Sequence, residues 1–287
     1  MGRPGASGAL AALARAAAIA VSAALLAAGC GDGGGGPDRT AGLTPGRIVA
    51  VATDTALALR SVRVDIDARA DTRVAGATGA AALFAGPVEL SAHGRLARPK
   101  LMSIDVELTA QGFPIQGNLT RVGDSLYLTV LGRDFRLGTP AAALARTRPE
   151  RMPAAVLGWL EDPRVAGRED LDGTPTVHVA GRLGAAALTD LAGQLAALTG
   201  GSAPVREDAS AIRRGTADAW IGREDLLVRR VVIDLAARGP LRSLPDVTSL
   251  TLAATLDFSA FDARVEVTAP AGARPLDLDD LGPLLGR

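Results

Sequence analysis

Alternation of apolar and polar residues runs through much of this chain. In residues 61–69, Val62, Val64 and Ile66 alternate with arginine and aspartate, and residues 104–109 repeat the pattern. Similar stretches cover residues 115–120, 126–130, 177–179, 216–221, 227–235, 250–258 and 265–267. Because successive strand residues point to opposite faces, this alternation predicts antiparallel β-strands with one apolar and one polar face.

Helical periodicity interrupts the strands in four places. It predicts helices over residues 43–59, 141–146, 153–160 and 184–198, whereas residues 162–173 are polar and predict a turn at Asp172 and Gly173. Few helices among many one-sided strands are typical of an α+β fold. We therefore expect a curved antiparallel sheet, a half-barrel, with helices packed on its concave face.

The N-terminus has the three parts of a secretory signal. Arg3 and Arg15 supply positive charge, residues 16–28 are apolar apart from Ser22, and small residues precede Cys30. A transmembrane anchor is the alternative, but the apolar run is shorter than the roughly 20 residues of a membrane span. Because an exported chain with a single thiol needs an explanation, we predict that Cys30 carries lipid in a mature lipoprotein.

The same features divide the chain into three predicted parts. Residues 1–29 form a lipoprotein signal peptide, residues 30–42 hold the lipidated cysteine and a flexible glycine-rich tether, and residues 43–287 form a single domain. Two or more acyl chains on a cysteine hold a protein firmly at a membrane. We therefore expect a domain anchored to the extracytoplasmic side of the cell membrane, without intrachain disulfides.

Charge and aromatic content restrict the partners of this domain. Lys+Arg and Asp+Glu balance at 31 each, and no basic stripe is present, so we expect no nucleic-acid partner. Apolar residues reach 48% but aromatic residues only 3%, which predicts an aliphatic interior. Such a lining suits alkyl chains better than sugars, whose rings usually stack on aromatic side chains.

Catalytic and metal-binding patterns are missing from the sequence. Of its two histidines, His93 and His178 lie far apart, and His178 stands between two valines, which predicts a position on a polar strand face. The acidic residues at 169–172 and 277–280 predict a solvated turn and a charged tail rather than metal sites. We expect no catalytic residue, metal, cofactor or enzymatic activity; a hydrolase would need His178 to point inward beside an acid and a hydroxyl.

Several short stretches that follow the predicted lipidation site resemble those of a known family in their order and spacing. The stretches are residues 61–64 after the first helix, 123–128 with Phe135, 167–179, 219–221 and 227–231. Over residues 43–269 the chain resembles the LppX/LprAFG family of actinobacterial lipoproteins, which is similar in fold to the LolA/LolB carriers. The resemblance implies a hydrophobic cavity that binds multi-acyl lipids or glycolipids and passes them on in the envelope, with a membrane transporter as a possible partner.

The cavity implied by this resemblance should be lined by the apolar strand faces and covered by one helix. The expected lining residues are Val64, Ile66, Ile104, Val106, Leu108, Leu126, Leu128, Val177, Val179, Leu188, Leu191, Leu195, Val231, Ile233, Leu252 and Leu256. Each buried methylene contributes about 0.8 kcal/mol, so such a lining would hold a lipid strongly. The same residues could instead interdigitate as a closed core, which would favour a non-enzymatic scaffold or interaction lipoprotein.

Overall fold

A twelve-stranded β-sheet forms most of the structure, which is a computed structural model describing residues 36–76, 85–137, 149–198, 209–239, 241 and 246–276. Cys30, the predicted helix 141–146 and the acidic residues 277–280 lie outside the described residues, as do the side chains of residues 192–198. The chain from Asp38 to Arg287 forms one compact unit.

Within the described residues, the strands alternate with three α-helices and two short 3-10 turns. The strands are β1 Ser61–Val74, β2 Gly86–Ala97, β3 Leu101–Ala110, β4 Phe113–Val122, β5 Ser125–Val130, β6 Arg133–Leu137, β7 Leu160–Leu171, β8 Thr174–Leu183, β9 Ile212–Gly222, β10 Val228–Arg238, β11 Val247–Ser259 and β12 Arg274–Leu276. The helices are α1 Pro45–Ala58, α2 Met152–Leu157 and α3 Ala185–Leu198, and the 3-10 turns are Pro149–Arg151 and Ala209–Ala211.

The sheet is one continuous, open ladder in the order β12-β6-β5-β4-β3-β2-β1-β11-β10-β9-β8-β7. Neighbouring strands are antiparallel except β12, which runs parallel to β6. The register aligns the apolar residues of successive strands into rows. One row crosses most of the sheet and contains Val130, Gly117, Val106, Ala92, Ile66, Leu256, Val231, Ala219 and Val179. The alternation therefore gives the sheet an apolar face and a polar face, as expected for a curved antiparallel sheet.

Tight two-residue turns connect several of the neighbouring strands. Gln111 and Gly112 have φ of 52° and 80°, Leu131 and Gly132 have φ of 51° and 69°, and the β7–β8 turn repeats the pattern. Positive φ at both central residues defines a type I′ turn, whose twist matches that of the flanking strands and which favours glycine at its second position. These turns set the register on which the apolar rows depend.

Helix α1 begins where the sequence predicts. Thr44 caps it, because its Oγ1 accepts a hydrogen bond from the backbone N–H of Arg47, and Pro45 occupies the first turn. Ile48 and Ala52 on its buried side belong to the same hydrophobic cluster as the apolar strand residues. This cluster is mainly aliphatic, in line with the low aromatic content.

Strand β7 occupies most of the polar residues 162–173, where the sequence predicts no strand, and the turn predicted at Asp172 and Gly173 follows it. Leu160, predicted to end a helix, instead begins this strand. β7 is an edge strand with few buried residues, and its ladder to β8 shifts register around Asp162 and Ala166. Backbone hydrogen bonds rather than apolar burial hold this strand in the sheet, so its sequence lacks alternation. Pro163 is tolerated because it lies at a bulge in an edge strand.

The C-terminal strand also differs from the prediction. Residues 263–270, which include Val265 and Val267, have no regular secondary structure, and β12 follows them instead. Val265 and Val267 lie near Arg63 and His93 of β1 and β2. Both edges of β1 are already paired, with β2 and β11, so this segment finds no free strand edge there.

Asp38 connects the beginning of the described chain to the sheet through hydrogen bonds and ion pairs. Its carboxylate accepts hydrogen bonds from Arg223 Nη2 at 2.7 Å, from the Thr40 hydroxyl at 2.6 Å and from Arg168. Burial by itself raises the pKa of the Asp38 carboxyl, but the bonds from Arg223, Thr40 and Arg168 outweigh it and hold the pKa far below the usual range. The charged carboxylate therefore stabilises the fold at neutral pH.

Replacing Asp38 by asparagine should lower the free energy of unfolding by about 1–3 kcal/mol at pH 7, because charge-assisted bonds to two guanidinium groups are lost. A carboxyl with a lowered pKa contributes stability above its unfolded pKa and loses it as the pH falls. The difference between Asp38→Asn and wild type should therefore shrink on acidification. Urea unfolding from pH 7 to pH 3 measures this, and a constant difference would contradict it.

Candidate functional site

A cavity of about 520 Å³ opens on the apolar face of strands β3 to β6. Its polar side chain is that of Arg133, because Gln116 and Asn118 point to the polar face, where Asn118 donates a hydrogen bond to Asp105 at 2.8 Å. The other side chains that border the cavity are aliphatic or aromatic. The bordering residues are Val106, Leu108, Ile115, Gln116, Gly117, Asn118, Leu119, Leu128, Val130, Leu131, Arg133 and Phe135. The volume lies within the range of about 300–1,000 Å³ that is usual for ligand pockets.

Strand register explains how these residues meet. Leu108 pairs with Ile115 across β3 and β4, and Leu128 pairs with Leu119 on one side and Phe135 on the other. Since paired residues point to the same face, four strands contribute one continuous apolar wall.

Gly117 lies in the middle of this wall. A Cβ atom there would approach the backbone oxygen of Thr129 to 2.7 Å, which is closer than real Cβ contacts allow. Glycine therefore permits β4 and β5 to pack at this point and leaves space between Val106 and Val130, its partners in the apolar row. The missing side chain contributes to the depth of the cavity.

The predicted lining residues fall into two groups. Val106, Leu108 and Leu128 border the cavity. Most of the others are buried in the hydrophobic cluster that joins the strands and helices, namely Val64, Ile104, Leu126, Val177, Val179, Leu188, Val231, Ile233 and Leu256. Ile66, Leu191 and Leu252 are half-buried against that cluster, and the side chain of Leu195 lies outside the described part of the chain.

Five apolar residues of the cavity were not among those predicted. They are Ile115, Leu119, Val130, Leu131 and Phe135. The alternation over residues 115–120 and 126–130 places the first three on the apolar face, so the pattern contained that information. Leu131 lies in a turn, where alternation carries no information about direction.

His178 lies on the polar face of the sheet, as its position between two valines predicts. Its Nε2 is 2.8 Å from Asp218 Oδ1 and its Nδ1 is 3.2 Å from Glu169 Oε1. The imidazole also stacks on Trp220 with ring centroids 4.3 Å apart, and the Trp220 N–H donates to Glu169. The inward arrangement of acid, histidine and hydroxyl that a hydrolase would need is not formed by His178.

Several other ionisable groups of the polar face pair with one another. Arg69 and Glu89 are 3.3 Å apart, and Arg214 and Asp234 are 2.8 Å apart, around a second groove of about 540 Å³. In the described ranges, no group of three or more histidine, cysteine or acidic side chains is arranged to hold a metal ion. Among the same residues, no helix has the length and apolar character needed to cross a membrane.

The architecture is similar to that of a solved mycobacterial protein structure. LprF from Mycobacterium bovis aligns over 80% of this chain and 100% of its own length, with 18% identity and a TM-score of 0.50. The chain shares the LprF fold. This likeness confirms, at the level of the fold, the resemblance to the LppX/LprAFG family that the sequence predicts.

Two further solved structures align with lower TM-scores than LprF. Mycobacterium tuberculosis lipoprotein LppX covers 78% of this chain and 99% of its own, with 16% identity and a TM-score of 0.43. A LolA superfamily protein from Nitrosomonas europaea covers 78% of this chain at 10% identity, with a TM-score of 0.23. No protein-family model and no curated protein matches the sequence.

Proposed function

We propose that this protein binds an acyl chain of a membrane lipid or glycolipid in the cavity on β3 to β6 and passes the lipid on in the cell envelope. The observation that carries the proposal is the cavity of about 520 Å³, which has an apolar wall formed by four strands and is partly open to solvent. Its volume is that of a drug-sized ligand, which corresponds roughly to one long acyl chain. Enzymatic activity is not part of this proposal.

Energetics support an acyl ligand. At about 0.8 kcal/mol for each methylene removed from water, ten buried methylenes would contribute about 8 kcal/mol before the cost of immobilising the chain. A long-chain lipid therefore fits this site better than a sugar or a nucleotide.

The remaining expectations from the sequence complete the proposal. We place the lipid anchor at Cys30 and the protein on the extracytoplasmic side of the cell membrane, where a membrane transporter could receive the lipid. Helices α1, α2 and α3 would cover the concave face, which is supported by the buried residues Ile48, Leu157 and Leu188 in the strand cluster. Movement of such a covering helix could enlarge the cavity for additional acyl chains.

Native mass spectrometry of residues 38–287, which form a compact unit with their own hydrophobic cluster, tests the proposal. Protein purified from cells without detergent should carry a species of lipid mass that disappears after organic extraction. Incubation of the extracted protein with a long-chain phospholipid should restore a one-to-one complex. A protein that carries no lipid and takes none up would contradict lipid binding.

A non-enzymatic scaffold lipoprotein is the second candidate function. It is favoured by the complete burial of Val64, Val177, Val179, Leu188 and Val231, which fill the interior in the β1, β8 to β11 half of the sheet. A scaffold predicts that no lipid is extracted, whereas lipid binding predicts a ligand confined to the β3 to β6 half. The same mass-spectrometric experiment separates the two.

A further inference from the structure

Two large apolar side chains project into solvent beside the mouth of the cavity. Phe113 is 72% exposed and Leu131 is 83% exposed, although the described residues contain few exposed large hydrophobics. Phe113 begins β4 directly after the β3–β4 turn, and Leu131 is the first residue of the β5–β6 turn. We call Phe113, Leu131 and Arg133 the rim.

Strand register offsets Phe113 from Leu131 along the strand direction. Gly117 of β4 pairs with Val130, the last residue of β5, so residues 113–116 extend beyond β5. Leu131 follows Val130 and borders the cavity itself. The end of the β3–β4 hairpin, with Phe113, therefore extends beyond the end of β5. The β5–β6 turn, with Leu131, borders the cavity directly.

Leu131 is an unusual residue for its position. Its φ of 51° lies in the left-handed region, where the first central residue of a type I′ turn is most often asparagine, aspartate or glycine. An exposed leucine gains nothing from burial there, and its backbone conformation is unfavourable. Neither folding nor turn formation accounts for this side chain, so a binding role is the better physical explanation.

Arg133 supplies a positive charge at the same place. Its side chain borders the cavity and is exposed, and its guanidinium forms no hydrogen bond or ion pair with the described residues. Arg69 and Arg214, which lie on the polar face, are paired with carboxylates. A guanidinium that has no partner among the described residues, near two exposed apolar side chains, matches the boundary of a bilayer, where phosphates lie next to acyl chains.

We propose that the rim docks on the surface of a lipid bilayer that contains anionic phospholipid. Phe113 and Leu131 enter the boundary between head groups and acyl chains, Arg133 contacts lipid phosphates, and the cavity mouth comes to face the leaflet. Apolar side chains combined with a cation are the usual composition of a surface that binds to membrane interfaces. This inference rests on the proposed function, because it identifies the surface through which a lipid would enter the cavity.

Vesicle flotation of residues 38–287 tests the docking surface directly. The probes are vesicles of phosphatidylcholine alone and of phosphatidylcholine with phosphatidylglycerol. The double variant Phe113→Thr/Leu131→Asn removes the apolar contacts while giving residue 131 a side chain that suits its turn. Val165→Thr on β7 is the matched control, because Val165 is also exposed (42%) but lies on the edge strand at the end of the sheet away from the rim.

Wild type and Val165→Thr should float with the anionic vesicles, and the double variant should bind at least about ten-fold more weakly because two apolar side chains no longer enter the bilayer. Arg133→Gln should remove most of the preference for anionic vesicles. Equal binding of the double variant and wild type, or failure of wild type to bind either vesicle, would overturn the proposal. The latter result would assign the rim to a protein partner.

Lipid loading distinguishes a failure of docking from a failure of the proposed function. The single variant Phe113→Thr should retain the lipid complex in native mass spectrometry when it is loaded from detergent, because Phe113 does not border the cavity. A variant that loads normally but exchanges lipid with vesicles at least about ten-fold more slowly than wild type supports the rim as the entry surface. An unchanged rate of exchange would contradict it, whatever the affinity of the cavity.

Discussion

Replacing both Leu128 and Val130 by tryptophan is expected to weaken the binding of a long-chain lipid about 200-fold. Both residues border the cavity. Each indole would take up the space of about two methylene groups beyond that of the side chain it replaces. The lipid would therefore bury about four fewer methylenes, which at about 0.8 kcal/mol each corresponds to about 3.2 kcal/mol of lost binding free energy. Competition against a fluorescent fatty acid in residues 38–287 measures the change.

The control for this variant is Tyr127→Trp. Tyr127 lies between Leu126 and Leu128 on the same strand, is half-buried, and points to the polar face, where its strand partners are Thr120 and Arg136. It therefore adds a tryptophan to β5 without filling the cavity. Full loading of the Leu128→Trp/Val130→Trp variant, or an equal loss in Tyr127→Trp, would show that the acyl chain is bound elsewhere.

The two competing functions make different predictions for the same pair of variants. A lipid-binding protein should lose loading while its unfolding temperature stays close to that of wild type, because the indoles occupy empty space. A scaffold lipoprotein has no loading to lose. Circular dichroism during thermal unfolding therefore has to accompany the competition assay.

Replacing Leu157 by alanine is expected to lower the free energy of unfolding by about 2–5 kcal/mol. Leu157 lies at the end of α2, has no exposed surface and belongs to the cluster that also contains Ile48, Leu188 and the strand residues. Truncation removes buried methyl groups and leaves a cavity among residues from separate helices and strands. Since a domain is stabilised by only about 5–15 kcal/mol, this is a large fraction.

Leu57→Ala is the matched control for the Leu157 variant. Leu57 occupies the last turn of α1, is 37% exposed, and would give the same change in side chain within a helix. Its cost should stay below about 1 kcal/mol, as is usual for surface substitutions. Urea unfolding of residues 38–287 compares the two variants. Equal costs would show that α2 contributes little to the cohesion of the core.

Alternation predicted most of the central strands, though not β2, because these strands bury one face. β1, β3, β10 and β11 have apolar residues at every second position, and the structure forms strands there. The same rule could not identify β7, since an edge strand held by backbone hydrogen bonds needs no apolar face. It wrongly placed a strand at Val265 and Val267, because a local pattern cannot show whether a neighbouring strand edge is still free.

The sequence by itself determined which side chains belong to the apolar face, the aliphatic character of that face, and the position of His178 on the polar face. These properties follow from the two-residue period of a strand and from composition, both of which are local. Only the tertiary structure decided which apolar residues leave a cavity. Val106 and Val231 belong to the same row, yet the first borders the cavity and the second is fully buried. The difference depends on which elements pack above each residue, and contacts between distant parts of the chain are not encoded in a local pattern.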